Sequence, residues 1–160
     1  MITAQQQPGL APTDAISTGV VRGLLTGEAL TFALASLVHR GLLIDGYGHR
    51  QAYIAESIIA AVLAAGLVTA ALSPRRAASA AVAAQGLALV GTAMGLIAIA
   101  VGVGPRTVPD VVYHVAIVAV LVGGLGYGVR GRRTVRSRVS PTTRPPYPGA
   151  NRVRNTVSGR

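Results

Sequence analysis

The chain has 160 residues, of which 51% are hydrophobic and only 12% are charged, and its formal net charge is +10. Charged residues make up about a quarter of an ordinary soluble domain, so this composition excludes one. The absence of cysteine excludes disulfide exchange, thiolate zinc sites and iron–sulfur clusters. The averages hide a division, because residues 15–129 are mostly Ala, Val, Leu, Ile and Gly, whereas residues 130–160 hold nine of the 15 arginines.

Four apolar stretches are long enough to cross a hydrocarbon core of roughly 30 Å, which needs about 20 helical residues. Charges or helix breakers bracket each of them. The predicted helices are Thr18–His39, Tyr53–Leu72, Ala77–Val101 and Val108–Val129. The third and fourth lack the polar stripe that a helix of a soluble bundle would carry. We therefore predict an all-α fold, a membrane-embedded four-helix bundle with a disordered basic C-terminal tail.

This prediction divides the chain into a flexible N-terminal segment 1–16, a membrane domain 17–129 and a tail 130–160. The tail combines Arg and Pro with Ser, Thr and Asn, and it has little apolar surface to bury. A basic segment beside a membrane span adheres to anionic lipid head groups. Because Tyr147 is the only aromatic residue of the tail, base stacking is disfavoured and we expect no nucleic-acid partner.

The arginines predict the orientation of the four spans. Twelve of them lie on the side that both termini share, and three, Arg40, Arg50 and Arg106, lie on the other. Positive charge accumulates on the cytoplasmic side, so we expect a multi-pass protein of a bacterial plasma membrane with both termini in the cytoplasm. The alternative for the first stretch is a signal peptide with a cleavage site at 33–35. Glu28 and the lack of a basic residue before Arg22 disfavour it.

Small residues indicate how the helices pack, because close backbone approach drives helix association in lipid. Gly19, Gly23 and Gly27 recur at a spacing of four in the first span, and Gly91 and Gly95 do so in the third. We expect these glycines to pack within the bundle, and a dimer interface is the alternative.

An inner polar layer is predicted near the middle of the membrane. Counting about 1.5 Å per residue from the cytoplasmic helix ends places Glu28 roughly 15 Å deep and Gln85 roughly 12 Å deep, so the two side chains could meet. Arg22 is six residues from Glu28, which turns it roughly 240° around the helix and prevents a direct ion pair.

A second polar layer is predicted nearer the outside, where Glu56 and His114 lie at roughly 24 Å and 22 Å. Asp110 precedes His114 by four residues and shares its helix face. The three residues would form a proton-responsive cluster with His114 as the switch. Two interpretations remain open: Glu56 and His114 only satisfy each other and fix helix register, or the cluster is a proton or cation relay or a small-ligand pocket.

No cofactor or metal is predicted. A haem held by His39 and His114 is disfavoured because the two residues differ in depth by about 9 Å. Asp45 and His49 could join His39 as metal ligands, but their spacing is not distinctive. We find no convergent nucleophile, so we predict no catalytic residue and no enzyme.

Two resemblances accompany these residues. Thr26-Gly27-Glu28-Ala29-Leu30, His39, Glu56 and the segment from Pro109 to His114 resemble small uncharacterised four-span membrane proteins of actinobacterial type. That likeness covers residues 18–129 and implies no known activity. A membrane-central glutamate in the first of four short spans is also similar to the small multidrug resistance transporters. This likeness implies that Glu28 binds protons and cationic drugs in turn.

Two functional hypotheses follow. In the first, the chain is a non-catalytic integral membrane protein, a small bundle that acts as an oligomer or as an accessory subunit of a larger complex. In the second, it is a proton-coupled transporter or channel for a small molecule or cation, which uses Glu28 with Glu56 and His114 as an outer gate.

Overall fold

The structure is a computed structural model that describes residues 17–103 and 106–139. It contains four helices, α1 (Thr18–His39), α2 (Arg50–Leu72), α3 (Ala77–Val101) and α4 (Val108–Val139). A short 3-10 turn, Pro74–Arg76, joins α2 to α3, and no strand occurs in the described ranges. All four helices are long and apolar enough to cross a membrane. The predicted all-α four-helix bundle is confirmed.

Two boundaries differ from the prediction. Helix α2 begins at Arg50 rather than Tyr53, because Nδ1 of His49 accepts a hydrogen bond from the backbone N–H of Ala52 and caps the first turn. Helix α4 continues past Val129 to Val139, through a segment whose arginines are good helix formers. The predicted segment 1–16 and the part of the tail from residue 140 lie outside the described residues.

Arginine side chains cover the carboxyl ends of two helices. Arg22 donates from Nη2 to the carbonyl oxygens of Ala70 and Ala71 at the end of α2, at 3.1 Å each. Arg106 donates from Nε to the carbonyl oxygen of Ile99, at 3.0 Å, near the end of α3. Cations are favourable there, because the last carbonyl groups of a helix have no partner in the helix and carry negative charge. The expectation that Arg22 does not pair with Glu28 is confirmed.

Consecutive helices pack against each other, and α1 also contacts α3 and α4 over smaller areas. The α2–α3 contact is tight, since a Cβ added to Gly66 would lie 2.6 Å from Cβ of Ala84. Gly91 and Gly95 of α3 pack within the bundle as predicted. A Cβ at Gly91 would lie 2.9 Å from Cδ1 of Ile59, and one at Gly95 would lie 3.2 Å from Nε2 of His114. The apolar core consists of Val21, Leu25, Phe32, Ile59, Leu63, Ala70, Ala77, Ala81, Ala84, Ala88, Ile117 and Leu121.

The glycines of α1 are a correction. Gly19, Gly23 and Gly27 are exposed, and a Cβ on either of the last two would meet no atom of another described helix within 4 Å. The prediction that they pack within the bundle is therefore wrong. The reason is rotational: the buried stripe of α1 runs through Val21 and Leu25, and a residue two positions along a helix points roughly 200° away.

Polarity is inverted relative to a soluble protein. Leu30 and Leu72 are 65% and 81% exposed, whereas Glu28 and Asp110 are 1% and 4% exposed. In water, large apolar side chains are mostly buried and carboxylates are almost never fully buried. Apolar faces outward and polar groups inward fit a small integral membrane protein, in which lipid surrounds the bundle.

Candidate functional site

The inner layer joins Glu28 of α1 to Gln85 of α3. Nε2 of Gln85 donates to both carboxylate oxygens of Glu28, at 2.9 Å and 3.1 Å. Both side chains are 1% exposed. The contact inferred from helix depth alone is confirmed.

Hydrogen bonding in this pair is incomplete. Oε1 of Gln85 is buried and has no hydrogen-bond partner among the residues that the structure describes. A carboxylate only accepts, so ionised Glu28 has no proton to give it. One proton on Glu28 would supply the missing donor and allow two parallel hydrogen bonds between the acid and the amide. The inner pair thus leaves one buried acceptor without a donor in the described part of the chain.

Gly124 of α4 makes room for the inner pair. A Cβ on Gly124 would overlap Nε2 of Gln85 and lie 3.0 Å from Oε1 of Glu28. The sequence does not single out this position, because Gly124 is one of four closely spaced glycines in the second half of the fourth span. The close approach of α4 backbone to Gln85 and Glu28 brings a third helix to the inner layer.

The outer cluster centres on His39, the last residue of α1. Its Nδ1 lies 2.8 Å from Oε2 of Glu56 on α2, and its Nε2 lies 3.3 Å from Oδ1 of Asp110 on α4. The three residues are 3%, 5% and 4% exposed. One imidazole thus connects two buried carboxyl groups from two other helices. We call His39, Glu56 and Asp110 the outer cluster.

The predicted role of His114 in this cluster is wrong. His114 does not bridge Glu56 and Asp110, and its contact with Asp110 is to the backbone: Nδ1 donates to the Asp110 carbonyl oxygen at 2.7 Å. A neutral imidazole in a helix can donate a hydrogen bond to the backbone carbonyl oxygen four residues earlier. Because Nδ1 of His114 makes that bond, Nε2 points away from the carboxylate of Asp110. His39 takes the place that the prediction assigned to His114.

Hydroxyl groups complete the environment of Asp110. Tyr47, from the α1–α2 loop, donates to Oδ2 of Asp110 at 3.2 Å, and Thr107 donates to the same oxygen. Thr107 also precedes α4 and accepts from the backbone N–H of Asp110 at 3.4 Å, which makes it the N-cap. Asp110 is therefore held at the amino end of α4, where the helix dipole favours a negative charge.

Glu56 is only partly satisfied. Its Oε2 meets His39, but its Oε1 is buried without a hydrogen-bond partner among the described residues. Native proteins leave few buried polar atoms unpaired, so each such atom calls for an explanation. Glu56 also lines a cavity.

That cavity lies between the amino-terminal half of α2 and the carboxy-terminal half of α3 and has a volume of about 230 Å³. The outer cluster contributes His39 and Glu56 to its wall, and His114 and Thr92 lie on the same wall. The remaining lining is mostly apolar, with Ala55, Ile59, Met94, Ala98 and Ile99 among its residues. A buried acid and imidazole at the end of an apolar cavity is the usual composition of a small-molecule site.

Tyr113 lies between the two layers. It lines a groove of about 370 Å³ between α1 and α4 that reaches Glu28, and it also lines a pocket that reaches His39 and Asp110. Its ring packs edge-on against Phe32, with 6.3 Å between centroids. Its hydroxyl is buried with no partner in the described part of the chain. No motif or spacing in the sequence singles out Tyr113.

No group of three or more His, Cys, Asp and Glu residues within 17–103 and 106–139 is arranged to hold a metal ion. His39 makes its two contacts with Glu56 and Asp110, and His49 caps α2. The three residues considered for a loop metal site, His39, Asp45 and His49, are thus not brought together as ligands.

Comparisons of the chain with family models, with curated proteins and with solved structures found no match. Neither the likeness to small actinobacterial membrane proteins nor that to small multidrug resistance transporters gains support from them.

Proposed function

We propose that the protein is a non-catalytic membrane protein that couples proton binding at the outer cluster to a small solute in the adjoining cavity, as a proton-coupled transporter or channel does. The observation that carries this proposal is the buried imidazole of His39, held between Glu56 and Asp110 at the cavity wall. Ionisable groups inside a membrane are costly, and they mark ion or substrate pathways when they border a cavity.

The cluster responds to protons because of its hydrogen-bond stoichiometry. Each contact between a ring nitrogen and a carboxyl oxygen needs one proton between the two atoms, so two protons are shared by His39, Glu56 and Asp110. Loss of one proton sets a nitrogen lone pair against a carboxylate and weakens that contact. Since the contacts tie α1 to α2 and α1 to α4, proton exchange changes how strongly these helices are held together at the cavity.

The non-catalytic part of the proposal is supported by the hydroxyl groups near the cluster. Ser36 and Ser57 lie 2.7 Å apart through their Oγ atoms, and Ser36 also donates to the carbonyl oxygen of Tyr53 at 3.1 Å. Nucleophilic catalysis by a serine needs a base within hydrogen-bond reach. Both nitrogens of His39 face carboxyl groups instead.

The inner pair extends the proposal across the membrane. A proton that enters at the outer cluster needs a second acceptor on the way to the other side, and Glu28 with its incompletely bonded partner Gln85 is such an acceptor. Tyr113 lies between the two levels. Glu28 would thus act with Glu56, and His39 rather than His114 would be the imidazole of the outer gate.

The test is proton movement in liposomes. Purified protein is reconstituted with a pH-sensitive dye inside, a pH gradient is imposed, and cationic and neutral solutes are added in turn. We expect a solute-dependent proton flux that falls at least about tenfold in Glu56→Gln and in Glu28→Gln. Asp45→Asn, in the exposed α1–α2 loop, is the control that removes an acid at the same end and should retain the flux. No flux in the wild type, or full flux in Glu28→Gln, would refute the proposal.

A second candidate, the oligomer or accessory subunit of a larger complex, is favoured by the exposed glycines of α1. Gly23 and Gly27 line the groove between α1 and α4, and a Cβ on either would meet no atom of another described helix within 4 Å, so another helix could approach closely there. Replacing Gly23 with Leu would separate the copies or partners without disturbing the buried stripe. Mass measured by light scattering in detergent, for the wild type and for Gly23→Leu, tests this candidate.

For location, we propose a bacterial plasma membrane with both termini in the cytoplasm, which places the cavity on the external side. The support is the arginine distribution. Arg132 and Arg133, at the far end of α4, are exposed, and the arginines that follow extend the same basic segment. This segment would bind anionic lipid head groups.

A further inference from the structure

Three polar residues of the α2–α3 cavity wall offer acceptors, whereas the donors of its lining, His49 and Gln51, lie at more exposed positions. Oε1 of Glu56 has no partner among the described residues, and as part of a carboxylate it can only accept. Oγ1 of Thr92 donates its proton to the carbonyl oxygen of Ala88, at 2.8 Å, so towards a ligand it can only accept. Both residues are more than nine-tenths buried, with 5% and 3% exposed.

His114 adds a third acceptor. Its Nδ1 faces the carbonyl oxygen of Asp110, which cannot donate, so the ring proton of a neutral His114 sits on Nδ1. Nε2 then carries a lone pair. That nitrogen lies on the cavity side of the ring, beside Gly95 of the cavity wall, where an added Cβ would be 3.2 Å from it. A ligand that fits these three groups must bring hydrogen-bond donors.

Charge favours a cation over a neutral donor. The outer cluster sets two carboxyl groups against one imidazole, so one negative charge is unbalanced when all three are ionised. Of the three arginines at this end, Arg50 is exposed at the start of α2, and the other two are engaged elsewhere. The guanidinium of Arg40 lies 5.4 Å over the ring of Tyr53, and Arg106 bonds carbonyl groups of α3. A cation in the cavity would supply the missing charge.

The volume limits the apolar part of such a ligand. A dry cavity of about 150 Å³ accommodates benzene, so 230 Å³ holds one ring with a short arm. The walls that would contact the ring are apolar, with Ile59 on α2 and Ala98 and Ile99 on α3. The exposed Met94 lies on the same wall.

We propose that the α2–α3 cavity binds a small ammonium ion with an apolar body of about one ring, whose N–H groups donate to Glu56, Thr92 and His114. An alkylammonium group has three donors, and the cavity end has three acceptors. The inference rests on the proposed function only for the place of the site, and it names the class of solute that the site takes.

Equilibrium dialysis of radiolabelled benzylammonium against the protein in nanodiscs of uncharged lipid tests the proposal. Empty nanodiscs correct for partition into lipid, and benzoate and benzyl alcohol are the comparison ligands. We expect saturable binding of benzylammonium at one site per chain, weaker binding of the alcohol, and none of benzoate. Glu56→Gln should lower the affinity for benzylammonium about tenfold or more, because a charged hydrogen bond is lost.

A substitution that fills the cavity tests the site independently of Glu56→Gln, because it leaves the outer cluster intact. Ala98→Leu adds side-chain volume on the cavity wall and should abolish saturable binding. Ala100→Leu, an exposed position of the same helix that does not line the cavity, is the matched control and should bind as the wild type does. Equal binding of benzoate, no saturable binding of benzylammonium, or unchanged binding in Ala98→Leu would overturn the proposal.

The two proposals fail in different ways. Saturable benzylammonium binding without any proton flux in liposomes would leave the ammonium site standing and refute proton coupling. A proton flux that depends on a neutral solute, with no ammonium binding, would support proton coupling and refute the ammonium site.

Discussion

Nδ1 of His39 and Oε2 of Glu56 lie 2.8 Å apart, and this contact ties the last residue of α1 to a position nearly two turns into α2. The other ring nitrogen reaches Asp110 at the start of α4. Three helices thus meet on one imidazole at the level of the cavity. The stability, the chemistry and the proposed role of the outer end of the bundle all depend on that ring.

Loss of the imidazole should be costly. His39→Gln leaves two buried carboxyl groups without the partner that they share, and removal of one member of a buried ion pair costs about 3–5 kcal/mol. We expect the free energy of unfolding in detergent micelles, measured by denaturant titration, to fall by about that amount. His49→Gln removes a helix cap and should cost about 1 kcal/mol. Equal losses in the two variants would show that His39 is not the centre of the cluster.

The inner pair should be sensitive to the backbone of α4. Gly124→Ala places a methyl group against Gln85 and Glu28, and overpacking of this kind costs about 1–3 kcal/mol. Gly123→Ala is the matched control, since a Cβ there would meet no atom of another described helix within 4 Å. Thermal unfolding in detergent should show a lower midpoint for Gly124→Ala alone. A parallel loss at both positions would point to helix flexibility rather than to the inner pair.

Glu28 should tolerate an amide better than an apolar side chain. In Glu28→Gln the new amide accepts from Nε2 of Gln85 and donates to Oε1, which otherwise lacks a partner, so stability should stay within about 1 kcal/mol of the wild type. Glu28→Leu leaves the buried amide of Gln85 unpaired and should cost about 1–3 kcal/mol. Denaturant titration of both variants is the measurement, and a Glu28→Leu protein as stable as Glu28→Gln would contradict the expectation.

Orientation can be tested cleanly because the chain has no cysteine. Asp45→Cys places a thiol in the exposed α1–α2 loop, and Arg75→Cys places one in the turn between α2 and α3. In intact cells, a membrane-impermeant maleimide should label the first variant, and it should label the second only after lysis. The opposite pattern would reverse the topology and place the cavity in the cytoplasm.

Much of the fold could be predicted because length and breakers determine where a membrane helix begins and ends. Pro74 and Gly102 are such breakers, and α1 and α3 have the predicted bounds. Depth along straight helices was also enough to pair Glu28 with Gln85. Both predictions depend on position along the helix axis, which the helical rise gives directly.

Which side chains meet in the outer cluster depends on how each helix is rotated about its axis and on which helices are neighbours. Depth in the membrane gives neither. Glu56 and His114 lie at similar depth, but His114 bonds its own helix. A signal for His39 was present: it continues the buried stripe of α1 through Glu28, Phe32 and Ser36 at spacings of three and four. The exposure of Gly19, Gly23 and Gly27 agrees with this stripe, because these glycines lie on the other side of α1. The buried side of a helix is better indicated by its polar residues at helical spacing than by its glycines.

The central claim is that His39 connects Glu56 to Asp110, and solid-state NMR in lipid measures it most directly. The chain has three histidines and five acidic residues, so labelling histidine with ¹⁵N and the carboxyl groups with ¹³C gives few signals. We expect strong dipolar coupling from Nδ1 of His39 to the Glu56 carboxyl carbon and from Nε2 to that of Asp110. Coupling of the Glu56 carboxyl to His114, with none to His39, would contradict this account.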